Sequence, residues 1–228
     1  MKQTGGDEDA KRRAGDSAAD VPEDGDVVGL GTGSTAAYAI RALGQRVDAG
    51  LDVRGIPTSY QARETAREAG IPLTSLDEAT PDVAIDGADE VAADGALIKG
   101  GGAAHAREKV VDDAADRFVV VADPSKEAER LSHPVPVEVL PDACAPVGDA
   151  VESAGGDPTL RAAERKDGPV VTDNGNLVLD CAFGEISDPN GLARTLSATP
   201  GVVEHGLFVG LADEIHVGGD EGVEVRRF

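Results

Sequence analysis

Residues 26–37 read Asp-Val-Val-Gly-Leu-Gly-Thr-Gly-Ser-Thr-Ala-Ala and predict the first unit of the fold. Asp26–Leu30 is a short apolar run that ends in glycine-rich sequence, which indicates a buried strand. Thr35–Leu43 places alanines and Ile40 at helical spacing, and Gly44 follows as a helix stop signal. The stretch therefore predicts a strand, a glycine loop and a helix in direct succession.

The same alternation continues through the first half of the chain. Short apolar runs predict three further strands, at Leu51–Ile56, Pro81–Ile85 and Phe118–Ala122. Helical patterns separate them, at Ser59–Ala69 and Ala103–Ala115. Strands that alternate with helices form βαβ units, so the sequence predicts an α/β fold with a mostly parallel sheet.

The pattern changes near Ser132, where prolines cluster and α+β segments with antiparallel pairing follow. Asp173–Asn176 has Asn-Gly at its centre and predicts a hairpin of Val170–Thr172 with Leu177–Cys181. Further predicted elements are helices at Cys144–Ala154 and Pro189–Ser197, and strands at Val202–Phe208, Ile215–Val217 and Val223–Val225. The predicted domains are a first domain of residues 1–131 plus 208–228 and a smaller α+β domain of residues 132–207.

The chain carries a large excess of acidic residues. It has 43 Asp and Glu against 21 Lys and Arg, a formal net charge of −22. Such a field repels nucleic acid and anionic membrane surfaces, so we expect neither as a partner. The acids are dispersed and lysine is scarce, which we interpret as the composition of a cytosolic protein from a high-salt organism. An acidic protein of an ordinary mesophile is the alternative.

Membrane insertion and disulfide bonding are both disfavoured. The longest apolar runs, such as Phe118–Ala122, are too short to span a bilayer. Met1–Asp20 is polar and lacks the apolar segment of a secretory signal, so we expect a cytoplasmic protein. Cys144 and Cys181 have no metal or redox spacing and are expected to be buried free thiols.

The glycine loop Gly29–Ala36 predicts an anion site. Its glycines let the backbone approach a ligand, and the helix start that follows offers N–H groups to a phosphate. The hydroxyls of Ser34 and Thr35 add donors. An NAD site requires an acid at the end of the second strand, where Ile56–Ser59 has none, and an S-adenosylmethionine loop requires an acid where Val28 stands. A tight turn without a ligand is the third alternative.

Three further motifs carry polar chemistry. Asp86–Glu90 places three acids after the third strand, which indicates a cation site or a solvated acidic turn. Lys99 precedes three glycines, and Glu108 lies on the helix after them, where an ordinary surface acid is the alternative. Asp123–Lys126 closes the fourth strand with the composition of a β-turn. Ligands bind at the carboxyl ends of parallel strands, so we expect one rim that can bind phosphate and move a proton beside a carbonyl.

Together these phrases resemble ribose-5-phosphate isomerase of the A type. The matching phrases are GLGTGSTAA (Gly29–Ala37), IDGADEV (Ile85–Val91), IKGGGAAHAREKVV (Ile98–Val111), VVADPSK (Val120–Lys126), PVEVLP (Pro136–Pro141), VTDNGNLVLD (Val171–Asp180) and PGVVEHGLF (Pro200–Phe208). The resemblance covers essentially the whole chain. It implies a Rossmann-like large domain with a smaller α+β (ferredoxin-like) domain, isomerisation of an open-chain pentose phosphate through a cis-enediolate, no metal or organic cofactor, and a homodimer or homotetramer.

The resemblance also implies roles by matching position. Glu108 is expected to be the general base between C1 and C2, and Asp86 the acid/base for ring opening. Asp89 and Lys99 are expected to hold and polarise the sugar oxygens. The expected phosphate and substrate contacts are Thr32, Gly33, Ser34, Thr35, Lys126 and, by its spacing, Lys11. A non-catalytic sugar-phosphate sensor is the alternative, and Glu108 discriminates the two because a sensor needs no proton-shuttling carboxylate.

Overall fold

The structure is a computed structural model that describes residues 7–228. They divide into two compact units: a parallel-sheet unit of residues 7–88, 107–127 and 211–228, and a smaller unit of residues 89–106 and 128–210. The helices are α1 (Glu8–Ala19), α2 (Ser34–Asp48), α3 (Tyr60–Glu68), α4 (His105–Ala114), α5 (Cys144–Ser153) and α6 (Pro189–Ser197). The strands are β1 (Val27–Leu30), β2 (Arg54–Pro57), β3 (Val83–Gly87), β4 (Glu90–Ala92), β5 (Leu97–Ile98), β6 (Arg117–Ala122), β7 (Glu127–Ala128), β8 (Val135–Val139), β9 (Asp157–Leu160), β10 (Leu177–Ala182), β11 (Val202–His205), β12 (Leu207–Phe208), β13 (Glu214–Gly219) and β14 (Gly222–Arg227).

The parallel-sheet unit is built on a six-stranded sheet of order β14-β13-β6-β3-β1-β2. The pairs β1–β2, β1–β3, β3–β6 and β6–β13 are parallel, and β14 closes one edge antiparallel to β13. The α/β fold with a mostly parallel sheet is therefore confirmed. The carboxyl ends of β1, β3 and β6 share one rim, because Leu30 lies beside Ile85 and Gly87 beside Val121.

The core of this unit lies between the sheet and the helices α1, α2 and α3. It includes Val28, Leu43 and Val119, all with no exposed surface. Each such side chain contributes about 1.5–3 kcal/mol of transfer free energy when it leaves water. The interpretation of Gly44 as a helix stop is wrong, since α2 continues to Asp48. A Cβ on Gly44 would lie 2.4 Å from the carbonyl oxygen of Ala69, so this glycine lets α2 approach the end of α3.

The smaller unit contains a four-stranded antiparallel sheet of order β11-β8-β10-β9. In chain order its elements run β8-α5-β9-β10-α6-β11, which is the ferredoxin-like arrangement. Val135, Val137 and Val139 alternate along β8 and pack with the helix residues Val147 and Leu196 into one apolar cluster. A second small sheet has the order β12-β5-β4-β7.

Two local expectations differ from the structure. The hairpin partner of β10 is β9, and Val171 makes only an isolated bridge to Leu177. The predicted strand Val202–Phe208 is interrupted at Gly206, where a Cβ would lie 2.1 Å from the carbonyl oxygen of Lys99.

Residues 89–106 group with the smaller unit, whereas the sequence placed them in the first domain. The reason is packing: Ala92, Ala96 and Ile98 belong to the apolar cluster of the smaller unit. No helix within residues 7–228 is both long and apolar enough to cross a membrane.

Candidate active site

The glycine loop between β1 and α2 is fixed by Asp86 from the neighbouring strand β3. Asp86 has no exposed surface, and its Oδ1 accepts hydrogen bonds from the backbone N–H of Thr32 (2.9 Å) and of Gly87 (2.6 Å). Gly33 has φ +117°, a value that favours glycine, and immediately precedes α2. The loop leads directly into the start of α2, where Ser34 is exposed and Thr35 is buried, and such a helix start is a candidate anion site.

Two hydroxyl residues at the end of β2 complete this loop, and sequence reasoning missed both. Thr32 Oγ1 lies 2.8 Å from Thr58 Oγ1 and donates to Ser59 Oγ at 2.7 Å. Thr58 and Ser59 are buried, and Ser59 also caps α3 through the N–H of Ala62. The signal available in the sequence was their position after a strand that neighbours β1.

Glu108 lies in the first turn of α4 and is only 3% exposed. The alternative of an ordinary surface acid is therefore wrong. One face of α4 is buried against the sheet, because a Cβ on Gly29 of β1 would lie 2.7 Å from Val111 Cγ1. The same unit thus holds a buried carboxylate on α4 and the Asp86-fixed loop.

Lys126 ends a short 3-10 turn at the carboxyl end of β6. Asp123 begins that turn, and its Oδ1 accepts from the N–H of Ser125 (3.0 Å) and from Ser125 Oγ (2.5 Å). Both Asp123 and Lys126 are buried. The turn is thus the one expected from the composition, and it holds a lysine side chain largely out of water.

Lys11 is buried on α1, where its ammonium pairs with Glu8 at 3.0 Å. Helix α1 packs against α2 and β13. The matching of Lys11 rested on spacing alone, and the structure places this lysine in the same unit as the glycine loop and Lys126.

A buried polar cluster fastens α1 to β13. Ser17 Oγ lies 2.9 Å from His216 Nδ1, and His216 Nε2 lies 3.2 Å from Glu214 Oε2. Burial alone would raise the pKa of Glu214, but hydrogen bonds from Arg227, His216 and Arg117 together lower that pKa to about 2. Burial lowers the pKa of His216 and outweighs its hydrogen bond to Glu214. His216 is therefore neutral near pH 7.

In the smaller unit, Asp89 and Lys99 flank the antiparallel strand pair β4–β5, since Asp89 precedes β4 and Lys99 follows β5. Asp89 Oδ2 accepts from the backbone N–H of Gly101 at 2.6 Å. Lys99 is 1% exposed, and its ammonium stands 5.2 Å from the centre of the Phe208 ring. Gly100 has φ +105°, a conformation open to glycine. The structure thus brings Asp89 and the triple-glycine loop together.

The three acids of Asp86–Glu90 serve different partners. Asp86 holds the glycine loop and Asp89 holds Gly101. The carboxylate of Glu90 accepts from the N–H groups of Ser132 and His133. Within residues 7–228, no group of three His, Cys, Asp or Glu side chains is arranged to hold a metal ion.

The sequence is similar over nearly its whole length to proteins named ribose-5-phosphate isomerase A. It is 74% identical over 226 residues to ribose-5-phosphate isomerase A of Natronomonas pharaonis, covering 99% of this chain and 100% of that protein. It is 72% identical to ribose-5-phosphate isomerase A of Haloarcula marismortui, covering 99% and 98%. Relatives at this level come mostly from halophilic archaea, which fits the acidic composition.

Solved structures give the same result. Ribose 5-phosphate isomerase A of Methanocaldococcus jannaschii superposes with a TM-score of 0.94 at 45% identity, covering 97% of this chain and 99% of that chain. A D-ribose-5-phosphate isomerase in complex with phospho-erythronic acid superposes with a TM-score of 0.95 at 43% identity and the same coverage. The family described as ribose 5-phosphate isomerase A (phosphoriboisomerase A) matches residues 54–222. The chain therefore belongs to the ribose 5-phosphate isomerase A family.

Proposed function

We propose that this chain is an aldose–ketose isomerase that interconverts D-ribose 5-phosphate and D-ribulose 5-phosphate. The observation that carries the proposal is Glu108, a carboxylate buried in the same unit as the glycine loop between β1 and α2. Burying a carboxylate costs free energy, and in our proposal Glu108 offsets that cost by transferring the proton, a role that a sensor lacks. The phospho-erythronic acid bound to a 43% identical relative supports a sugar phosphate as ligand.

The reaction moves one proton between adjacent carbons. In our proposal Asp86 acts as acid/base in ring opening, and Glu108 then removes the proton from C2 of the open aldose. The C2–H electron pair becomes the C1–C2 double bond of a cis-enediolate, whose negative charge rests on O1. Glu108 returns its proton to C1 while the hydroxyl proton of O2 passes to O1, which gives the ketose. No electrons leave the substrate, so the chemistry needs no redox cofactor.

Asp89 and Lys99 hold and polarise the sugar oxygens in this proposal. A fixed ammonium near O1 and O2 favours the enediolate over the neutral substrate, because its interaction strengthens as negative charge develops. Lys99 is suited to this role by its burial, since a charge contact is stronger where water is excluded.

The phosphate is assigned to the glycine loop and two lysines. The N–H groups at the start of α2 and the side chains of Thr32, Ser34 and Thr35 supply donors, and Gly33 lets the loop turn. Lys126 and Lys11 supply positive charge. Local cations are needed because a chain of net charge −22 repels a dianion at longer range.

Glu108→Gln tests the assignment. The amide keeps the shape of the side chain and removes the base, so we expect kcat to fall by about 10²–10⁴-fold with substrate binding largely retained. The assay is ribose 5-phosphate conversion in concentrated KCl. Asp113→Asn is the matched control, because Asp113 is an exposed acid on the same helix; it should behave as the wild type.

The outcomes separate the possible functions. Loss of turnover in Glu108→Gln alone supports both the reaction and the base. Equal turnover in the wild type and Glu108→Gln would keep the isomerase and overturn the proposed base. Sugar-phosphate binding by a wild-type protein without turnover would favour the sensor.

Assembly and location are also proposals. We expect a homodimer or homotetramer, which light scattering in high salt measures directly, and no nucleic-acid or membrane partner. A cytoplasmic location is supported by Cys144 and Cys181, which are both free thiols as is typical of a reducing compartment.

A further inference from the structure

Arg161 is a nearly buried cation that the proposed chemistry does not use. It follows β9 directly and is 9% exposed. Its Nε donates to Asp180 Oδ2 at 2.9 Å, and its Nη2 donates to Asp180 Oδ1. Asp180 lies on β10, the strand paired with β9. Two parallel hydrogen bonds to one carboxylate fix the plane of the guanidinium as well as its position.

The remaining nitrogen of Arg161 reaches the triple-glycine loop. Nη1 donates to the carbonyl oxygens of Gly100 at 2.9 Å and of Gly101 at 3.3 Å. These residues follow Lys99 directly, and the loop contains two left-handed positions, Gly100 (φ +105°) and Ala103 (φ +59°). A non-glycine residue in that region costs free energy, so the loop requires contacts from outside itself to hold its shape.

One peptide group of the loop is held from both sides. In a trans peptide the C=O and the following N–H point in opposite directions. The Gly100 carbonyl accepts from Arg161, and the N–H of the same peptide, on Gly101, donates to Asp89 Oδ2 at 2.6 Å. The order of groups is therefore Asp180, Arg161, the Gly100–Gly101 peptide and Asp89, all within the smaller unit.

We propose that Arg161, clamped by Asp180, is a positioning residue for the reaction: it orients the Gly100–Gly101 peptide, and through it Asp89. The inference rests on the proposed function, because it requires Asp89 to hold a sugar oxygen. A lysine cannot replace this arginine, since one ammonium cannot grip a carboxylate with two nitrogens and a carbonyl with a third.

The test is a double-mutant cycle between Arg161→Met and Asp89→Asn, measured as kcat and KM for ribose 5-phosphate. We expect Arg161→Met to lower kcat/KM by up to about 100-fold, the range caused by a misplaced catalytic group. If Arg161 acts through Asp89, adding Arg161→Met to Asp89→Asn causes little further loss. Multiplication of the two losses would overturn the proposal, because damage to the fold alone does not depend on Asp89.

A matched control is available in the same unit. Arg130 pairs with Glu185 at 3.1 Å, and both side chains are exposed, so Arg130→Met should leave kcat and KM unchanged. Asp180→Asn is the second variant if Arg161→Met does not fold: it keeps the shape of the clamp and removes its charge. Its smaller loss in kcat/KM should likewise vanish in the Asp89→Asn background, and a loss that persists there would overturn the proposal.

The same experiment separates this inference from the proposed function. A wild type without turnover, or an Asp89→Asn variant as active as the wild type, would contradict the proposed site and this inference with it. An active wild type, an impaired Asp89→Asn and independent losses would overturn the positioning role of Arg161 alone.

Discussion

Gly31 lies directly against Asp86. A Cβ at position 31 would come 2.1 Å from Asp86 Oδ1 and 2.5 Å from Asp86 Cα. The loop cannot move away from Asp86 without breaking the hydrogen bond that the N–H of Gly31 donates to the carbonyl of Ile85 at 2.9 Å. The absence of a side chain at Gly31 is what allows the glycine loop to pack in direct contact with the Asp86 carboxylate.

We predict that Gly31→Ala displaces Asp86 and the loop together. Activity, measured as kcat/KM, should fall by about 100-fold or more because both groups move. The free energy of unfolding should fall by about 1–3 kcal/mol, as for other overpacked sites. Gly148→Ala is the control. Gly148 lies in helix α5, and the nearest atom that its Cβ would meet is Pro158 Cγ at 3.7 Å. The effect of this substitution on the free energy of unfolding should be neutral or slightly stabilising. Equal activity of the two variants would contradict the prediction.

Thr58→Val should loosen the glycine loop without changing the shape of its surroundings. The substitution removes the 2.8 Å contact with Thr32 and leaves the contact between Thr32 and Ser59. We expect stability to fall by about 1 kcal/mol and the KM for the sugar phosphate to rise more than kcat falls. Thr195→Val is a suitable comparison, because Thr195 is exposed on α6 and donates only to its own helix. An unchanged KM in Thr58→Val would show that Thr58 does not support the loop.

Acid should destabilise the parallel-sheet unit in two stages. His216 is held neutral with a pKa below 6.5, so the unfolded chain binds a proton more readily and stability falls as the pH drops below 6.5. Glu214 has its pKa lowered to about 2 from 4.5, so its contribution is complete above pH 4.5 and is lost as the pH falls towards 2.

Urea unfolding between pH 3 and pH 8 measures this dependence. His216→Gln should remove much of the change between pH 7.5 and pH 5.5, because glutamine does not titrate. A variant with the same pH dependence as the wild type over that interval would show that other groups cause it.

Salt should stabilise the protein and leave its chemistry intact. The Debye length is about 8 Å at 0.15 M and about 3 Å at 1 M, so molar KCl screens repulsion among dispersed acids but spares short, largely buried contacts such as Arg161–Asp180. We expect a higher Tm and undiminished kcat in 2 M KCl relative to 0.1 M KCl. Calorimetry and the isomerase assay, repeated in NaCl at equal ionic strength, measure both. Greatest stability and activity at low salt would contradict the prediction.

The sequence predicted the sheet well because its signal is local. A buried parallel strand is a short apolar run, and Phe118–Ala122 is almost the whole of β6. Gly44 shows where local rules fail: the same residue type ends helices and permits close packing, and the difference lies in Ala69, which is distant in sequence. The predicted hairpin was wrong for the same reason: Asn-Gly indicates a turn locally, but the partner strand of β10 is set by contacts more distant in sequence.

The candidate site shows the same difference between local and distant signals. Asp86, Lys99 and Glu108 stand in recognisable phrases, but the burial of Glu108 could not be derived from its spacing on a helix. Thr58 and Arg161 belong to no phrase that indicates chemistry, because their importance comes from contacts with residues 26 and 61 positions away. Groups that support a site are therefore the part that a single sequence reveals least.

The edge strand pair β13–β14 has a consequence for the order of folding. It completes the six-stranded sheet from the last segment of the parallel-sheet unit, and a Cβ on Gly218 of β13 would lie 1.9 Å from the carbonyl oxygen of Ala10 in α1. Elements from opposite ends of the described chain are thus neighbours, with the smaller unit encoded between them. During synthesis the ferredoxin-like sheet can assemble while α1 still lacks its strand, so the unit that begins first is the one that finishes last.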